Sequence, residues 1–125
     1  MKNNFDEIYE NAPVKNGVKQ IGYEELMEIK KSGEDHVLMD VLSFESYDKA
    51  HIPGSISCPV DEINKEKMQD LLSTDSKVIV YCASFECQAS TNAARKLENL
   101  GYKVLDYKGG LTEWRQKGKE LVRET

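Results

Sequence analysis

The chain has 125 residues, 39% hydrophobic and 31% charged, which suits one soluble domain with one core and leaves no room for a second. Its formal net charge of −5 argues against nucleic acid or an anionic membrane surface as the main partner, because both attract basic patches. No apolar stretch approaches the roughly 20 residues needed to cross a bilayer, and Met1 to Glu10 lacks the apolar core of a signal peptide, so a cytoplasmic location is expected.

The first 17 residues are polar, carry Pro13 and Gly17, and read as an arm laid on the domain or left loose; residues 18–125 are expected to form the domain. Val18–Ile21 reads as a short strand, and Tyr23–Lys31 as a helix with Leu26, Met27 and Lys30 at helical spacing and Gly33 as its stop. Val37–Val41 is an apolar run broken only by Asp40, as suits a strand covered on both faces. A polar, helical stretch at Phe44–Lys49 leads into His51-Ile52-Pro53-Gly54, Ser55–Val60 reads as another strand, and Asp61 is the expected N-cap of a helix to Leu72. Val78–Tyr81 is the clearest strand. Ala89, Ala93, Ala94, Leu97 and Leu100 then form a helical stripe closed by Gly101, followed by a strand at Lys103–Asp106 and a short helix at Leu111–Lys117 containing Trp114.

Strand and helix alternate throughout, which predicts an α/β fold with a parallel sheet and helices on both faces. Ligand sites in such sheets lie at the carboxyl ends of the strands, where the loops after Asp40, Ile56–Cys58, Tyr81 and Asp106 would meet. The loop after Tyr81 runs Cys82-Ala83-Ser84-Phe85-Glu86-Cys87-Gln88. A thiol at a strand end, facing curled backbone amides and a helix N-terminus, is biased towards the nucleophilic thiolate. The plain alternative is a small apolar residue closing the strand.

Several segments together resemble the rhodanese family: Leu38-Met39-Asp40-Val41, His51-Ile52-Pro53-Gly54-Ser55-Ile56, Val78–Cys82, Ser90 with Ala93-Ala94-Arg95-Lys96-Leu97, Leu100-Gly101-Tyr102, and Gly109-Gly110 with Trp114. The resemblance implies a three-layer α/β/α sandwich with a five-stranded parallel sheet, and it places the family's catalytic cysteine on Cys82. Such a cysteine takes a sulfane sulfur from a small donor or a persulfide protein, holds it as a persulfide within the loop's amides, and passes it to a thiol acceptor. No cofactor is implied.

The loop departs from the family pattern. It is longer, lacks the usual Gly and Arg, and carries only Glu86 as a charged member; Arg95 and Lys96 lie more than a turn into the next helix, and Leu42 stands where many relatives have Arg. Cys87 is either a second thiol able to attack a persulfide or sulfenate on Cys82, or a side chain with no role. Phosphoryl transfer is disfavoured because no Arg ends the loop, and zinc because Cys82 and Cys87 have no second ligand pair and His36 and His51 are distant in sequence. Supporting roles fall to Asp40 as a cap or loop-orienting group, His51 as a turn-holding hydrogen bonder, Ser90 as the cap of the next helix, and Gly109 and Gly110 as a tight turn beside the site. Cys58 reads as packing. Three functions stand: a sulfurtransferase or persulfide carrier acting through Cys82, a thiol-redox protein cycling Cys82 and Cys87, and a non-catalytic interaction module.

Overall fold

The computed structural model describes residues 4–124. In chain order its elements are α1 (Asn4–Asn11), β1 (Val14–Lys15), β2 (Val18–Ile21), α2 (Tyr23–Ser32), β3 (Val37–Asp40), α3 (Phe44–Lys49), β4 (Ile56–Ser57), α4 (Lys65–Leu71), β5 (Lys77–Tyr81), α5 (Ala89–Asn99), β6 (Lys103–Tyr107) and α6 (Gly110–Gln116). The strands lie side by side in the order β1-β2-β6-β5-β3-β4. Five of them are parallel, and β1 is a sixth, antiparallel edge strand that the expected five-stranded sheet did not include. Asn16 and Gly17, at φ 54° and 81°, form the two-residue turn that folds β1 back on β2; two successive positive φ angles match the strand twist.

Period-two alternation along β5 and β6 divides the interior into two cores. Val78, Val80 and Val104 face one side with Met39, Met68, Ala93, Ala94 and Leu97, under α4 and α5. Ile79, Tyr81, Leu105 and Tyr107 face the other with Phe5, Leu26, Ile29, Leu111 and Trp114, under α1, α2 and α6. Helices therefore cover both faces, giving the three layers.

The opening segment is helical and packed: Phe5 is fully buried in the second core and the Tyr9 hydroxyl donates to Glu98 at 3.0 Å. Gly101, at φ 101°, ends α5 in a complete Schellman motif, with Tyr102 N–H donating to Leu97 O at 3.1 Å and Gly101 N–H to Glu98 O at 2.9 Å. Leu100 falls outside the buried stripe.

Two local expectations are corrected. The strand expected at Ser55–Val60 is only Ile56–Ser57, because Pro59 leads directly into a 3₁₀ turn at Val60–Glu62. Asp61 lies inside that turn rather than at the start of a helix. Asn64 instead takes the N-cap of α4, its Oδ1 accepting from Lys67 N–H at 2.9 Å. Among the described residues, no helix is long and apolar enough to cross a membrane.

Candidate functional site

β5 is a run of β-branched and aromatic residues paired on both sides, by β3 and β6. Its rigidity fixes where the chain leaves the sheet, and it leaves at Cys82. Cys82 is fully buried within the core under α5, alongside Val80. Residues 82–88 form the whole connection to α5. Within it, a turn closes from Cys87 N–H to Ser84 O at 3.1 Å, lifting Phe85 and Glu86 into solvent.

That turn folds Cys87 back onto Cys82. The two are paired as a disulfide, with Cα atoms 6.4 Å apart, inside the range that a bridge requires. Cys87 is partly exposed while Cys82 is sealed. Cys58, the third cysteine, is buried and free, and burial pushes its thiol up, away from thiolate character.

The expected ring of amides around the sulfur is not present in this bridged form. Cys82 Sγ lies 3.5 Å from the Cys87 carbonyl oxygen. Among the described residues, the amides of Ser84, Phe85 and Glu86 donate to no protein acceptor. A bridged sulfur carries no charge, so nothing draws those amides inward.

Gly109 and Gly110 bring α6 against the loop. Leu111 N–H donates to Cys82 O at 3.1 Å and Thr112 N–H to Ala83 O at 2.9 Å, so the loop's first carbonyls cap the helix. Gly110 has φ 57°, and a Cβ there would strike the Cys82 carbonyl, 2.9 Å from its carbon. At Gly109 a Cβ would lie 2.6 Å from Glu113 Cβ.

Beneath the loop is a polar cluster. Asp106, at the end of β6 and fully buried, accepts from Thr91 Oγ1 at 2.9 Å, and the Ser90 hydroxyl and Lys108 also favour its charged form. Desolvation outweighs all three and raises its pKa. Ser90 does not cap α5, contrary to expectation: the helix already begins at Ala89, with Gln88 at the cap, so Ser90 is turned inward and fully buried.

Sequence reasoning missed Lys108. It follows β6 and brings its ammonium onto the Cys87 carbonyl, placing a cation at the loop where Arg95 and Lys96 supply none. Those two are engaged elsewhere, Arg95 with Asn16 O and Lys96 with Val60 O. Only the adjacency of β5 and β6 reveals Lys108; its sequence separation from Cys87 conceals it.

Asp40 and His51 are not brought to the cysteines. Asp40 pairs in register with Tyr81 on the opposite face of the sheet and holds Leu42 N–H at 2.9 Å. Burial raises its carboxyl, opposed by the Leu42 amide, the Tyr81 hydroxyl and His51. His51 stacks on Tyr47 with ring centroids 3.7 Å apart, its Nδ1 lies 2.8 Å from Tyr47 O, and its backbone pairs with Val122. The Tyr81 hydroxyl accepts from Ile52 N–H at 3.0 Å and meets Ser55 Oγ at 3.0 Å, pinning the His51–Ser55 turn.

The "Rhodanese-like domain" family matches residues 23–117. The chain is 31% identical over 106 residues to the "Putative sulfur carrier protein YrkF" of Bacillus subtilis, covering 84% of this chain and 54% of that protein. It is 32% identical over 94 residues to a tRNA sulfurtransferase of Desulfurococcus amylolyticus, covering 75% of this chain and 17% of that one. It thus spans about half or less of these relatives' lengths. The crystal structure of the BH2092 protein from Bacillus halodurans superposes with a TM-score of 0.77 at 33% identity, covering 84% of this chain and 77% of that chain. The fold, the matched stretch and these likenesses show that the chain belongs to the rhodanese-like family.

Proposed function

We propose that the chain is a persulfide carrier or sulfurtransferase in which Cys82 takes a sulfane sulfur from a small donor or persulfide protein and passes it to a thiol acceptor. The observation that carries this reading is the placement of Cys82 at the carboxyl end of central β5, with its carbonyl anchored by α6. In the reduced protein a thiolate here attacks the donor's outer sulfur, and the donor leaves as a thiolate or sulfite. The outer sulfur then sits under the amides of Ser84, Phe85 and Glu86, which donate to no protein acceptor among the described residues. Lys108, reaching the same loop, offsets the repulsion between Glu86 and an anionic donor.

The bland alternative, a non-catalytic module, predicts an inert Cys82. Intact mass of the reduced Cys87→Ser variant, which has no neighbouring thiol to displace a bound sulfur, after exposure to thiosulfate or glutathione persulfide decides between them. A gain of one sulfur that Cys82→Ser abolishes is expected; no gain with either donor would end the proposal.

A further inference from the structure

Sulfur transfer through Cys82 leaves the second sulfur of the loop without work. Its position is specific: the Ser84–Cys87 turn and the Lys108 contact to the Cys87 carbonyl hold Cys87 where it can bridge Cys82. The same turn keeps Cys87 partly exposed and Cys82 sealed.

We propose that Cys87 discharges the Cys82 persulfide as hydrosulfide, closing a disulfide that an external dithiol reopens. The proposal rests on Cys82 carrying a persulfide. The Cys87 thiolate attacks the inner sulfur, Cys82 Sγ. The new Sγ–Sγ bond forms as the bond to the outer sulfur breaks, and that sulfur leaves with the electron pair as HS⁻. The sulfane sulfur gains two electrons and the two cysteines together lose two, so the step needs no other oxidant or reductant.

Reopening follows from the unequal exposure of the two sulfurs. An incoming thiolate reaches Cys87 Sγ, not the buried Cys82 Sγ, so the leaving group is the Cys82 thiolate. The nucleophile for the next sulfur is thereby regenerated directly. The reductant's second thiol then displaces Cys87 from the mixed disulfide, and the reductant departs oxidised. A dithiol is the fitting partner, because a single thiol would leave Cys87 capped until a second molecule arrives.

The test is a single turnover without added thiol. Reduced wild type, Cys87→Ser and Cys87→Ala are loaded with glutathione persulfide, desalted, and followed by intact mass and a sulfide electrode. Wild type is expected to lose the added sulfur, release an equimolar amount of sulfide, and end lighter than the dithiol by the two thiol hydrogens. Peptide mapping should place the bridge at 82–87, and dithiothreitol should restore loading. Both variants should keep their persulfide over that interval, with sulfide release lost. Wild type retaining its persulfide as long as the variants, or releasing sulfide without a bridge, would overturn the resolving role alone. Failure of both variants to take up sulfur would instead bring down the persulfide reading on which it rests.

Discussion

Gly110→Ala tests whether the close approach of α6 sets the geometry of the cysteine loop. The residue sits at φ 57°, and the added methyl would drive into the Cys82 carbonyl and lie 3.1 Å from the Ala83 carbonyl carbon. Left-handed backbone costs an L-residue about 1–2 kcal/mol. Relieving the clash moves α6 outward and breaks the bonds from Leu111 and Thr112 to Cys82 and Ala83, each worth about 0.5–1.5 kcal/mol. The sum is about 2–5 kcal/mol, a large share of a domain's total stability of about 5–15 kcal/mol. At this chain length each kcal/mol moves Tm by roughly 3–5 °C. Gly118→Ala is the control: its φ is 77° but a Cβ there meets nothing within 4 Å, so only the backbone term applies. Urea unfolding and calorimetry on the reduced proteins should rank Gly110→Ala well below Gly118→Ala. Equal losses would refute the idea that contact with the loop, rather than backbone strain, makes glycine necessary.

Tyr81→Phe should destabilise by about 1–3 kcal/mol, because it strands the buried Ile52 N–H. Its hydroxyl lies on the far face, so alkylation of Cys82 in the reduced protein should proceed at the wild-type rate. For Asp106, burial raises the folded pKa above the ordinary 3.8. The folded state therefore keeps this proton to higher pH than the unfolded chain, and the resulting stability, complete below the ordinary value, is lost as pH rises through the raised one. Urea curves across the acid-to-neutral range should show wild-type stability falling relative to Asp106→Asn as pH rises; a constant difference would contradict the burial argument. Lys108→Met should slow loading of Cys82 from thiosulfate by about tenfold, the worth of one charge-assisted hydrogen bond, and leave loading from a neutral organic trisulfide nearly unchanged. A loss shared by both donors would mean that Lys108 only braces the loop.

Much of this architecture is written in short-range patterns. The Val78–Tyr81 run declares a buried strand, Gly33 and Gly101 mark helix ends with positive φ, and Cys82 stands where that strand stops. Two further features have equally local signals. Asn16-Gly17 is a strong two-residue hairpin signature that announces β1. Alternation along β3 and β6 separates Asp40, on the Tyr81 face, from Asp106, on the Val80 face. Other features have no local signal. Lys108 reaches Cys87 through strand adjacency, and α1 is a mostly polar helix anchored by Phe5, which only tertiary packing reveals. The shift of the cap from Asp61 to Asn64 reflects a choice between two good capping residues that Pro59 decides, by starting the 3₁₀ turn early.

The first amides of α6 are already engaged with the carbonyls of Cys82 and Ala83. That end of the loop is hinged to the scaffold and cannot swing like a lid, while its other end is fixed by the start of α5. Everything that can adapt lies in the few residues between. The protein thus presents a short variable stretch in a stiff frame, in which the exposed Phe85 and Glu86 can be rewritten without disturbing either core.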